Sequence, residues 1–90
     1  MVENQITIVN ALGLHARAAA KVVRLACTFP CTITLRREDS GQTADAKSIL
    51  SLLHLAAGNN VTISIIADGD DEAAALAEIK ELFLQGFGEN

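Results

Sequence analysis

The chain of 90 residues has no apolar run approaching the roughly 20 residues needed to cross a bilayer. Its first residues, Met1-Val2-Glu3-Asn4-Gln5, lack the cationic start and hydrophobic stretch of an export signal, so a cytoplasmic protein without membrane insertion is expected. Cysteine is scarce: Cys27 and Cys31 bracket Phe29-Pro30. In a reducing compartment the expectation is two small buried hydrophobes rather than a disulfide, and a zinc site would need two further ligands that nothing nearby supplies. There is no nucleotide loop, no paired acid and base and no metal-ligand set, which leaves little support for a small-molecule enzyme and implies no cofactor and no metal. Basic residues number seven against eleven acids, and a net charge of -4 argues against nucleic acid as a partner. Internal repeats and low-complexity linkers are absent too. What remains is one compact domain, residues 1–90, half hydrophobic and of modest stability.

What is present is a histidine where a loop runs into an alanine- and valine-rich helix: Gly13-Leu14-His15-Ala16-Arg17-Ala18-Ala19. The first amides of a helix have no partner inside it, and the aligned peptide dipoles leave partial positive charge there. Histidine is not a favoured N-cap residue, so its position calls for another explanation, and phosphorylation of the ring is one. A phosphoryl group on the imidazole nitrogen nearer the backbone would lie against the amides of Ala16 and Arg17, with the Arg17 guanidinium able to contact its oxygens and no metal required. An unperturbed imidazole titrates near about 6.5, and the positive helix end works against the imidazolium. The ring is therefore expected to be largely neutral and nucleophilic without a separate base.

Charge is distributed unevenly. Between Gln5 and Arg37 lie Arg17, Lys21, Arg24, Arg36 and Arg37 with no acid, whereas ten acids follow from Glu38 onward against Lys47 and Lys80. Arg17, Lys21 and Arg24 recur at i, i+4 and i+7 along one helix face. Because this stripe begins at His15, steering toward acidic partner proteins is the better reading than a merely solvated face.

GLHARAA resembles the active-site segment of HPr, the histidine phosphocarrier of the phosphotransferase system. Ala46-Lys47-Ser48-Ile49-Leu50 resembles that family's regulatory serine segment, and the order and spacing of the two motifs fit in one short chain. The family usually has proline after the arginine; here Ala18 keeps the helix, loosens its first turn and supplies one more amide donor. The resemblance implies a phosphocarrier, not a stand-alone enzyme, that takes a phosphoryl group on His15 from enzyme I and passes it to EIIA-type proteins, working as a monomer in sugar uptake. The nitrogen-related branch, NPr, is the alternative. It also implies docking next to the histidine, for which Ala20, Lys21, Arg24, Lys47, Ile49, Leu50 and Leu53 are candidates, with Leu50 the pick for an exposed contact. Ile49 and Leu53 compete with core packing, and His54 reads as a surface residue. Ser48 is an ordinary helix-start residue. The resemblance makes it a candidate for phosphorylation by HPr kinase/phosphorylase where that enzyme exists, and a regulatory module controlled at Ser48 is the second functional reading. A phosphate there would add about −1.5 to −2 charges beside Ile49 and Leu50.

Hydrophobic periodicity supplies the fold. Alternation at 5–9, with Ile6 and Ile8 inward, predicts a strand, and 10–14 is the loop that delivers His15. Ala16, Ala19, Ala20, Val23 and Cys27 at helical spacing predict a helix over 16–27 ended by Pro30. A second strand is expected at 31–35, with Cys31, Ile33 and Leu35 inward, then a turn at 36–41 and a short strand at 42–45. A helix at 46–57, with Ile49, Leu52, Leu53 and Ala56 inward, stops at Gly58. The fourth strand covers 61–65, its Val61, Ile63 and Ile65 opposed to Thr62 and Ser64. Asp68, Asp70, Asp71 and Glu72 crowd the start of a last helix whose buried stripe is Leu76, Ile79 and Phe83 and which frays toward Gly86 and Gly88. Strands that are apolar on one face only point to an antiparallel sheet with one wet side. The expectation is an α+β fold of order βαββαβα: four antiparallel strands covered on one face by three helices, the open-faced sandwich the HPr resemblance implies.

Overall fold

The computed structural model describes residues 1–89 of the chain. The elements run β1 (Val2–Thr7), α1 (Ala16–Ala26), β2 (Thr32–Arg37), β3 (Thr43–Asp45), α2 (Ile49–Leu55), β4 (Thr62–Asp68) and α3 (Glu72–Leu84), followed by a 3₁₀ turn at Gly86–Gly88. This is the expected βαββαβα order. The strands form one sheet in the order β1-β4-β2-β3, and every pair is antiparallel. In the central strand β4, Ile63, Ile65 and Ala67 point to one face and sit in register with Ile6, Leu35 and Ile33. Against that apolar face lie Ala18, Ala19, Val22 and Ala26 of α1, Leu52 and Leu55 of α2, and Ala75, Ile79 and Phe83 of α3, all buried. Burying each large apolar side chain contributes about 1.5–3 kcal/mol, so the sheet face is what holds the helices.

Several boundaries and faces differ from the periodicity reading. β1 and β4 are longer or displaced because they lengthen one another: Val2 pairs with Ala67 and Thr7 with Thr62, whereas Val9 lies outside the ladder and is exposed. β2 likewise runs on through Arg36 and Arg37, which pair with Ser64 and Ile63. In α1 the buried stripe is Ala18, Ala19, Val22 and Ala26; Ala16 and Cys27 are exposed, and Ala20 and Val23 are half-buried. Alanine on all sides leaves the face undetermined by hydrophobicity. The helix settles with Arg17, Lys21 and Arg24 directed away from the sheet, since a buried unpaired cation costs far more than an exposed alanine. The cysteines are both free, Cys31 buried as expected but Cys27 exposed.

α2 is shorter than 46–57. The backbone of Ala46 and Lys47 is taken first by other partners, Ala46 N donating to Ile33 O at 3.0 Å and Lys47 N to Asp45 Oδ1 at 2.9 Å, so the helix begins only after Ser48. It ends in a left-handed residue, Ala56 (φ 52°), two positions before the expected Gly58. Its buried residues are Leu52 and Leu55, whereas Ile49, Leu53 and Ala56 are exposed. Ser64, expected on the wet face, is fully buried because Arg36 and Glu38 cover it and both hydrogen-bond its hydroxyl. In α3 Ala75 takes the inward place expected of Leu76, which is only half-buried, while the acids do crowd the helix start, with Asp71 as N-cap and Glu72 in the first turn.

The largest departure follows α3. In place of fraying, the chain folds back: Phe87, in the left-handed region at φ 58°, is 1% exposed and meets Phe83 edge to face with ring centroids 4.9 Å apart. The two aromatic rings bind this turn to the core, and the turn ends beside the start of α1.

Candidate functional site

The loop before α1 is fixed by its backbone. Leu14 N donates to Ala57 O at 2.8 Å, and Gly13 N donates to Asn10 O at 3.2 Å. Gly13 has φ +63°, and a β-carbon on it would stand 2.6 Å from Ala57 O, so only glycine can bring the loop this close to the end of α2. Asn10, nearly fully buried, donates from Nδ2 to Gly13 O at 2.8 Å, while Asn59 Nδ2 donates to Asn10 O at 3.2 Å. These bonds place His15 as the N-cap residue of α1, in extended conformation (φ −81°, ψ 178°). Its carbonyl accepts the first helical bond, from Ala19 N at 2.8 Å, so the amides of Ala16, Arg17 and Ala18 stand ahead of the helical ladder.

The His15 ring does not cap the helix with a side-chain hydrogen bond. Its Nε2 lies 2.8 Å and 3.0 Å from the two carboxylate oxygens of Glu89, in the segment after the 3₁₀ turn. An ionised carboxylate has no proton to give, so Nε2 carries the hydrogen and donates it. In the neutral ring Nδ1 then holds the lone pair, and among the described residues it makes no hydrogen bond. Both side chains are 23% exposed. Asn10 Nδ2 also donates to Glu89 Oε1 at 2.7 Å. The Asn10 hydrogen bond, followed by that of His15, holds the Glu89 carboxyl below its ordinary 4.5, and the charge of Arg17 acts in the same direction. Arg17 is exposed and shares a groove of about 210 Å³ with Asn10, Ala11, Leu12 and Glu89.

The remaining candidates divide between structural duty and open surface. Lys21 Nζ donates to Phe87 O at 2.5 Å and Lys47 Nζ to Phe29 O at 2.7 Å, so both ammonium groups are engaged within the molecule. Arg24 is exposed and Ala20 half-buried. Leu50 is 68% exposed, Ile49 40% and Leu53 37%, an apolar outer face on a seven-residue helix that packs against α1. Leu12, at 66% exposure in the loop before His15, was not among the candidates. Ser48 is the N-cap of α2, its hydroxyl accepting from Ser51 N at 3.3 Å. Among the described residues no group of three His, Cys, Asp or Glu could hold a metal ion, and no helix is long and apolar enough to cross a membrane.

Asn10 and Glu89 escape the sequence reading altogether. The available signal was Phe87, a large apolar residue between two glycines in a polar stretch, which marks a segment that docks rather than frays.

The chain and its fold are similar to known proteins. Residues 2–85 match the family model described as PTS HPr component phosphorylation site. The chain is 42% identical over 89 residues to the phosphocarrier protein HPr of Cupriavidus necator, covering 99% of this chain and 98% of that one. It is 44% identical over 87 residues to the phosphocarrier protein NPr of Shewanella violacea, covering 97% and 93%. The crystal structure of HPr-C-His from Thermoanaerobacter tengcongensis superposes with a TM-score of 0.94 at 34% identity, covering 100% of this chain and 99% of that one.

Proposed function

This chain belongs to the HPr family of phosphocarriers of the phosphotransferase system, and from that premise we propose that His15 accepts a phosphoryl group from phosphorylated enzyme I and hands it to an EIIA-type protein. One observation carries the reading: the ring stands at the start of α1 with Nε2 engaged by Glu89 and Nδ1 unengaged among the described residues, and Arg17 lines a groove with that same Glu89. Phosphoryl transfer places negative charge on the equatorial oxygens, so positioned donors and cations do much of the catalytic work. The amides of Ala16 and Arg17 and the Arg17 guanidinium are those donors. Helix-end interactions of this sort contribute about 0.3–1 kcal/mol each, up to ~2 when partly buried, enough to hold the group and little enough to release it.

The exposed face of α2, with Ile49, Leu50 and Leu53, is the surface we assign to partner docking. Sugar uptake is the process we propose it serves; the likeness to an NPr supports the nitrogen branch as the second reading, and the EIIA-type protein that drains the phosphoryl group faster distinguishes them. Incubation with enzyme I and phosphoenolpyruvate is expected to give an acid-labile, base-stable adduct that His15→Ala cannot form. Absence of an adduct on the unaltered protein overturns the proposal.

Regulation at Ser48 is a second activity of the same surface, favoured by the serine's place directly before Ile49 and Leu50. Ser48→Asp keeps a good helix cap, so stability is expected to stay within about 0.5 kcal/mol, while affinity for enzyme I drops. Equal affinities measured by calorimetry would count against a regulatory role.

A further inference from the structure

Glu89 has no place in the carrier reading as stated, yet its carboxylate touches the reacting ring. We infer that Glu89 is a positioning residue for phosphoryl transfer at His15, an inference that rests on the carrier reading. The bond at 2.8 Å and 3.0 Å to Nε2 selects the tautomer with the proton on Nε2 and the lone pair on Nδ1. The opposite tautomer would carry its proton on the nitrogen that must attack. One contact besides the ring holds the carboxylate itself, the Asn10 amide at 2.7 Å, and two contacts at Phe87, the Lys21 ammonium on its carbonyl and the Phe83 ring on its own, fix the turn that carries Glu89. Side chain and backbone are thus both held at the site.

The arrangement also simplifies the chemistry. The Nδ1 lone pair attacks phosphorus; the new P–N bond forms as the bond between phosphorus and the donor's leaving atom breaks, and that bond's electron pair stays on the donor. Nε2 keeps its hydrogen throughout. The product ring is a phosphoimidazolium, and its positive charge faces the Glu89 carboxylate. Onward transfer breaks the P–Nδ1 bond, returns the electron pair to Nδ1 and restores the neutral ring with its proton still on Nε2. No proton is exchanged with solvent in either direction.

The test uses the full chain with enzyme I and phosphoenolpyruvate, together with ¹⁵N spectra of the His15 ring. Glu89→Ala is expected to shift the neutral ring toward the Nδ1-protonated form and to lower kcat for phosphoryl uptake about tenfold, with little change in KM. Glu78→Ala, which removes an exposed acid from α3, is expected to change neither. A loss of rate without the tautomer change, or a tautomer change without loss of rate, overturns the inference. Should Phe87 resonances show that Glu89→Ala releases the turn, Glu89→Met serves as the second variant: it keeps the bulk and removes the acceptor, and a wild-type tautomer and rate in it overturn the inference as well. An unaltered protein that takes up no phosphoryl group fails a different proposition, the carrier reading itself.

Discussion

At Gly13 a side chain is excluded twice, by a positive φ and by the Ala57 carbonyl 2.6 Å from where a β-carbon would stand. Gly13→Ala is expected to cost about 2–4 kcal/mol, from left-handed strain and overpacking together, read as a lower urea midpoint at unchanged slope. Because Leu14 N is bonded to Ala57 O, the same substitution shifts His15 and lowers phosphoryl uptake. At this scale the sequence is readable where chemistry demands an unusual residue in an unusual place: His15 at a helix start, Arg17 two positions on, Ser48 ahead of the second helix. Glu89 and Asn10 are ordinary polar residues, and only the back-folding of the chain gives them a partner. Ala18 is intermediate. It is fully buried in the first turn of α1, a place where proline would keep its φ without losing a needed hydrogen bond.

At the scale of elements, every strand and helix is present in the expected order, because alternation in β2 and β4 and helical spacing in α3 are strong signals. Faces are less secure where alanine dominates. In α1 the stripe is decided by where the basic residues must go, and Lys21 then serves a purpose that charge counting does not foresee, donating to Phe87 O rather than standing free for a partner. α2 shows the converse. Its spacing suggests Ile49, Leu53 and Ala56 as inward, yet Asp45 and Ile33 bind the backbone just before the helix and delay its start, so Ile49, Leu50 and Leu53 face outward.

For the molecule as a whole, the turn after α3 joins the end of the fold to the beginning of α1, and acid should loosen that join. The folded Glu89 carboxyl lies below its ordinary 4.5 because Asn10, then His15, hydrogen-bond its ionised form. A depressed carboxyl contributes stability that is present above the unfolded value and lost as pH falls through the folded one. His15, Arg17 and Asn10 face this group. Below about pH 4.5 the Phe87 and Glu89 amides are expected to lose protection relative to their intrinsic exchange rates while those of β4 keep theirs, a difference that hydrogen exchange followed from pH 6 to pH 3 measures. Equal protection across that range would place the turn's stability in the Phe83–Phe87 contact alone.

The 74 positions of sequence that separate His15 from Glu89 also set an order of events during synthesis. A ribosome delivers the imidazole early and its carboxylate much later, so a nascent chain exposes the bare ring long before the site is whole. Chains cut short between the two would carry a histidine but not its companion, and the cell's donor would meet an unfinished acceptor.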